Sequence, residues 1–284
     1  MKTVFFNGQF LPSGKAAVSP DDRGFLFADG IYEVVRWYSG FFFDMEGHLA
    51  RLKRSLREVK IRWDEEDSFP SIAEKLIKLN NLDDKPALVY FQVTRGAAPR
   101  THTFPSPPVK PTTYGFAKTF IPESSGKENG ISIMLKKDIR WGRCDIKSIA
   151  LLPNTMCFEE AVECGHGECI FVKDGHVTEG SHSNIFFVID GILRTHPESE
   201  AILSGITRKN AIKSAVECGI RIEERAVTEK ELPLVSEAFI TNTSAEITPV
   251  IAFDKQPVGN GKPGPVTKMI QKKFREIVMS YATK

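Results

Sequence analysis

Side chains from Gly30 to Trp37 alternate, with Tyr32, Val34 and Arg36 on one face and Ile31, Glu33, Val35 and Trp37 on the other, the period of a β-strand. The apolar period then lengthens. Leu49, Leu52, Leu56 and Val59 recur at helical spacing, and Ser68-Phe69-Pro70-Ser71 opens a second helix carrying Ile72, Leu76 and Leu79. Residues 87–94 are β-branched and aromatic, which predicts a buried strand running through Arg95-Gly96 into a loop with Pro99-Arg100-Thr101-His102. Further strands are predicted at 131–135, 169–173, 184–189 and 238–240, with hairpin or turn signals at Asp174-Gly175 and Asp190-Gly191. Helices are predicted over 155–164, from Ile206 to before Gly219, and after Pro265. This mixture implies an α+β fold in both halves. The polar, turn-rich stretch 121–130 marks a linker between an N-terminal domain, 1–120, and a C-terminal domain, 131–284.

A chain of 284 residues has room for two ordinary domains with cores of their own. Lys and Arg number 38 against 36 Asp and Glu, and a formal charge of +2 argues against nucleic acid or a membrane surface and for a small-molecule partner. Five cysteines without Cys-x-x-Cys spacing favour neither a disulfide framework nor a zinc site, and the scattered histidines suggest no metal. A turn residue, Gly8, comes too early for a signal peptide, and no apolar run has membrane-span length, so a soluble, cytoplasmic protein is expected.

Lys147, in Trp141-Gly142-Arg143-Cys144-Asp145-Ile146-Lys147-Ser148, is the leading catalytic candidate. A lysine attacks an aldehyde only as the free amine, and a half-apolar strand beside Arg143 would favour that form. Taken singly, a strand lysine is more often a surface residue. Glu179 closes a strand before Gly180-Ser181, where it could be a surface carboxylate or could bond a pyridine nitrogen. Gly205-Ile206-Thr207 opens a helix and offers free N–H groups to an anion, with Ser204 as an alternative cap. The turn Thr241-Asn242-Thr243-Ser244 could clamp the same phosphate from another side. Arg51, on the polar side of its helix, could add a charge or be solvated. Arg100 and His102 alternate on one side of their loop, a pair suited to a carboxylate, although the surrounding prolines also fit a mobile exposed loop.

Together these segments resemble the class IV, branched-chain-like pyridoxal phosphate aminotransferases, and among them the D-amino acid aminotransferases. The resemblance covers most of the chain, through Asp22-Arg23-Gly24, Asp29-Gly30-Ile31-Tyr32-Glu33-Val34-Val35, Phe91-Gln92-Val93-Thr94-Arg95-Gly96, Pro99-Arg100-Thr101-His102, Asp138-Ile139-Arg140-Trp141, Cys144-Asp145-Ile146-Lys147-Ser148, Thr178-Glu179-Gly180-Ser181, Gly205-Ile206-Thr207-Arg208 and Glu246-Ile247-Thr248-Pro249-Val250. It implies a two-domain fold-type IV enzyme, a homodimer, with pyridoxal 5'-phosphate at the domain interface. Lys147 would carry the cofactor as a Schiff base and move the substrate α-proton. Glu179 would bond the pyridine nitrogen, Leu203 would pack under the ring, and Arg51, Gly205, Ile206, Thr207 and Thr243 would hold the phosphate. Ser181, His182, Ser183 and Asn242 would also lie at the cofactor, His182 and Asn242 being departures from the family's serines. Tyr32, with Arg100 and His102 from the neighbouring subunit, would trap the α-carboxylate of a D-amino acid such as D-alanine or D-glutamate, the amino group passing to a 2-oxo acid such as 2-oxoglutarate or pyruvate. A branched-chain L-amino acid aminotransferase shares the cofactor parts but needs no Arg-x-His pair on this loop. An aminodeoxychorismate lyase of the same fold, or a ligand-binding protein on a retained scaffold, are the remaining alternatives.

Overall fold

The computed structural model describes residues 2–121 and 124–283. They form two compact units, residues 2–121 with Ile146–Ala150, and 124–145 with 151–283. Among the described residues no helix is long and apolar enough to cross a membrane.

The first unit contains β1 (Thr3–Phe6), β2 (Gln9–Pro12), α1 (Arg23–Phe27), β3 (Gly30–Tyr38), α2 (Met45–Glu58), α3 (Phe69–Leu79), β4 (Pro86–Thr94) and β5 (Thr112–Thr119). The strands make an antiparallel sheet in the order β2-β1-β5-β4-β3. Strand alternation sends Ile31 and Val35 of β3, and Val89, Phe91 and Val93 of β4, into a core shared with Leu52 and Leu56 of α2 and Phe69, Ile72, Leu76 and Ile77 of α3. Each such side chain contributes about 1.5–3 kcal/mol by leaving water. Asn80 secures the end of α3, its amide donating to Leu76 O at 2.8 Å and Thr3 O at 2.9 Å.

Lys147 belongs to this unit, whereas the expected boundary put it in the second domain. Ile146 is buried in the first core, and β3 is a sheet edge whose free backbone groups take Ile146–Ala150 as a partner. Tyr32 N–H donates to Lys147 O at 3.0 Å and Ile149 N–H to Gly30 O at 3.1 Å, with a single antiparallel bridge between Ile31 and Ser148. Lys147 therefore lies in an irregular segment docked on an edge, not in a strand of its own.

The second unit contains α4 (Ser124–Asn129), β6 (Ile131–Lys137), α5 (Leu152–Glu163), β7 (Glu168–Lys173), β8 (His176–Gly180), β9 (Asn184–Ile189), β10 (Ile192–Thr195), α6 (Ile206–Glu217), β11 (Ile222–Glu224), β12 (Glu237–Asn242), β13 (Glu246–Phe253), β14 (Gln256–Pro257) and α7 (Pro265–Met279). Its mixed sheet runs β11-β10-β9-β12-β13-β6-β7-β8, with β14 on β13. Asp174-Gly175 and Asp190-Gly191 turn β7 into β8 and β9 into β10, all four residues holding positive φ as tight hairpins demand. The expected linker holds α4, tied to β13 by Lys127 and Glu246 at 2.8 Å; Pro122 and Glu123 of that stretch lie outside the described residues.

Candidate active site

In the first unit, β3 presents Tyr32 and Glu33 to opposite faces. Glu33 is fully buried and accepts from Arg51 Nε at 2.7 Å, Arg51 Nη2 at 2.9 Å and His48 Nδ1 at 2.9 Å. Burial alone would raise its pKa, but Arg51 and His48 outweigh it and hold the carboxyl well below its ordinary range. Burial pushes His48 downward, which suits a neutral ring donating its Nδ1–H. Arg51 is thus not on a solvated helix face. Its guanidinium is buried, with its plane set by a two-point bond to Glu33, and removing either partner would leave a buried charge at a cost of about 3–5 kcal/mol.

Tyr32 lies on the other face, stacked on Tyr90 with ring centroids 5.6 Å apart. The Lys147 ammonium nitrogen stands 4.4 Å from the centre of the Tyr32 ring, so the lysine and the tyrosine expected to share a substrate do meet. The Lys147 amide also lies 3.4 Å from Ser55 Oγ, one helical turn beyond Arg51. Arg143, expected to bias Lys147 toward the free amine, has its guanidinium engaged by Asp145 at 2.9 and 3.0 Å. Arg100 and His102 are exposed and share one ring: the Arg100 guanidinium carbon is 5.0 Å from the centre of Phe27, and the His102 ring lies tilted against it with centroids 5.7 Å apart.

In the second unit, Glu179 is the penultimate residue of β8, and its carboxylate accepts from three donors. Arg140 Nη1 reaches Oε1 at 2.5 Å, and Asn184 Nδ2 and the Leu203 N–H reach Oε2 at 2.9 Å each. Burial works against the charge of Arg140, but Asp138 and Glu179 outweigh it and raise its pKa. A carboxylate fixed against a permanent cation is suited to holding a proton on a basic nitrogen.

Asn184 is the hub here. Its amide also donates to Leu203 O at 2.9 Å, and a Cβ on Gly205 would stand 2.1 Å from its side-chain oxygen, so only glycine fits there. Gly205 is the N-cap of α6 and no side chain caps the helix. Ser204, the expected alternative cap, donates instead to Glu198 at 2.6 Å. First-turn N–H groups of Ile206 and Thr207 are therefore left to an anion. Thr241 pairs with Asn184 across the sheet, and its buried Oγ1 has no hydrogen-bond partner. Both hydroxyl-bearing turns thus converge on the start of β9. Asn242 closes the second turn around Thr243, accepting from Ala245 N–H at 2.6 Å and Ser244 Oγ at 3.1 Å.

Ser181, His182 and Ser183 are drawn to one buried carboxylate. Glu168 begins β7, fully buried, and accepts from Ser181 Oγ at 2.5 Å and Ser183 Oγ at 2.6 Å, with His182 Nδ1 at 3.1 Å. Burial would raise its pKa; His182 and the two hydroxyls pull it down instead. His182 also sits edge-on to Phe158 of α5 at 4.8 Å. Glu33, His48, Arg140, Asn184 and Glu168 are thus the supporting residues missed from sequence. Charged side chains inside otherwise apolar strands, as at Glu33 and Glu168, were the available signal.

The family model Amino-transferase class IV matches residues 30–253. The D-alanine aminotransferases of Staphylococcus haemolyticus and Bacillus licheniformis are 41% and 40% identical to the chain, each over 99% of both proteins. Among solved structures, the branched-chain amino acid aminotransferase of Escherichia coli superposes with a TM-score of 0.88 at 27% identity, over 98% of this chain and 94% of that one. That of Thermoproteus uzoniensis, determined with norvaline, gives 0.87 at 26%, over 98% and 95%. With that family model covering most of the chain and relatives at 40% identity or more along its whole length, the chain belongs to the class IV aminotransferases.

Proposed function

We propose that this protein transfers the amino group of a D-amino acid, of the D-alanine or D-glutamate type, to a 2-oxo acid such as 2-oxoglutarate or pyruvate. The cofactor is pyridoxal 5'-phosphate. Residues of the second unit fit that group: the uncapped start of α6 and the orphaned Thr241 hydroxyl suit a phosphate, and the Glu179 carboxylate suits a protonated pyridine nitrogen. Bound, the cofactor withdraws electrons from the substrate α-carbon.

In this reading the Lys147 amine would hold the cofactor and would take the proton from the substrate α-carbon. Glu179, kept ionised by Arg140, holds the pyridine proton in place. Ile206 and Thr207 would hold the phosphate through the start of α6, Gly205 gives room for that turn, and Arg51 and Thr243 would add further phosphate contacts. Leu203 would pack against the ring, and its backbone is held by Glu179 and Asn184. Ser181, Ser183 and His182 act through the turn they share with Glu168, and Asn242 through the turn around Thr243. Tyr32, Arg100 and His102 bind the α-carboxylate. The working form in this proposal is a homodimer, with Arg100 and His102 serving the partner subunit's substrate.

One observation favours D-substrates over the branched-chain L-alternative: Arg100 and His102 share the Phe27 ring, so a two-point carboxylate clamp is available on that loop. Full-length relatives with the D-alanine name, more similar in sequence than the branched-chain structures, support the same choice. Arg100→Ala is expected to raise the KM for D-alanine about 10- to 100-fold, the worth of a lost charge-assisted hydrogen bond, while cofactor affinity stays near the parent's. Lys at this position recovers only part of the loss. Unchanged D-alanine kinetics would remove the clamp and return the branched-chain reading.

A further inference from the structure

We propose that Arg23 is a positioning residue that sets the carboxylate clamp, through a charge relay from Arg95 and Asp29 that Phe104 covers. This rests on the reading of Arg100 and His102 as that clamp. Arg23 opens α1 and is 3% exposed. Its Nη1 donates to the carbonyls of Thr101 at 2.7 Å and Thr103 at 3.3 Å, the two residues flanking His102. The loop backbone is thus pinned on both sides of one clamp residue and immediately after the other.

Arg23 is itself fixed from behind. Its Nε donates to Asp29 Oδ2 at 2.8 Å, and the same carboxylate takes Arg95 through two bonds of 2.7 and 2.9 Å. Arg95 continues to the carbonyls of Val59 at 2.7 Å and Lys60 at 2.9 Å, just past the end of α2, where a cation is favoured. A rigid helix end is thereby connected through two guanidiniums and one carboxylate to a proline-rich loop outside the named strands and helices.

Two cations share one carboxylate here, so a net positive charge remains, and aromatic faces help to offset it. The Arg95 guanidinium carbon lies 3.6 Å from the centre of Phe104, and that of Arg23 lies 4.7 Å from Phe27 and 6.0 Å from Phe104. Phe27 is the ring against which Arg100 and His102 rest. Phe104 remains 52% exposed, an aromatic ring held over a cation by the loop it belongs to.

The test uses holoenzyme carrying Arg23→Lys and, separately, Phe104→Ala. Lysine keeps a charge near Asp29 but cannot span the carboxylate and two carbonyls, and Asp29 retains Arg95 in either case. Each variant should raise the KM for D-alanine about tenfold, the scale of sub-ångström misplacement of binding groups, with kcat within about twofold. The inhibition constant of propionate, a carboxylate with no amino group to react, should rise by a similar factor, while cofactor absorbance stays as in the parent. If Arg23→Lys does not fold, Phe104→Ala decides. Unchanged KM and propionate inhibition, or a fall in kcat alone, would overturn the proposal. An unchanged KM for D-alanine in Arg100→Ala would bring down the clamp reading, and this inference with it; a raised KM there without one in these variants defeats the positioning role alone.

Discussion

Lys147→Ala is expected to fold as the parent does and to lose transamination, because the substitution removes both the attaching amine and the base that takes the α-proton. Loss of proton transfer alone amounts to roughly 10²–10⁴-fold, and loss of the covalent attachment adds to it. The fold should survive because this segment is held by its backbone and by Ile146: the contact to Tyr32 uses Lys147 O, which alanine retains. The variant is assayed with D-alanine and 2-oxoglutarate, with circular dichroism to verify folding. A folded alanine variant turning over near the parent rate would make Lys147 the wrong lysine.

Glu179→Gln is the second large effect. Glutamine keeps the shape and removes the charge that holds the pyridine nitrogen protonated, so single-turnover reaction of D-alanine should slow by about 10²-fold or more, the scale of a lost preorganised electrostatic contact. The surroundings sharpen the prediction. Arg140, the Asn184 amide and the Leu203 N–H are all donors, so a glutamine NH2 group meets a donor in either orientation, at a further cost of about 1–3 kcal/mol in stability. The cofactor should still bind, since its phosphate contacts lie in other turns. An unchanged single-turnover rate would refute the role.

Much of this architecture is legible locally. Period-two alternation in β3, the apolar stripe of α2 and the Asp-Gly hairpins are encoded within a few residues, and α6 begins at Ile206 as its pattern indicates. What escapes sequence reading depends on partners far along the chain. β5 reads Thr-Thr-Tyr-Gly-Phe-Ala-Lys-Thr, with little alternation to mark it, yet it sits between β1 and β4. Ile146–Ala150 joins the first unit because a sheet edge and a core accept it, facts that no local window around Lys147 contains. The site divides the same way. Lys147, Glu179 and Arg100 stand in recognisable motifs, whereas Arg51 looked solvated because its partner, Glu33, lies on a different element. The hydrogen bonds of Ser181 and Ser183 to the buried Glu168 likewise join two separate elements, so nothing in their own turn reveals them.

The central claim is that this class IV aminotransferase works on D-amino acids. Purified holoenzyme, yellow with its bound aldehyde cofactor, is mixed first with D-alanine and then, in a fresh sample, with L-leucine, and the cofactor absorbance is followed without any 2-oxo acid present. Conversion to the amine form of the cofactor by D-alanine, with little or none by L-leucine, is the expected result; conversion by L-leucine in preference to D-alanine would contradict it.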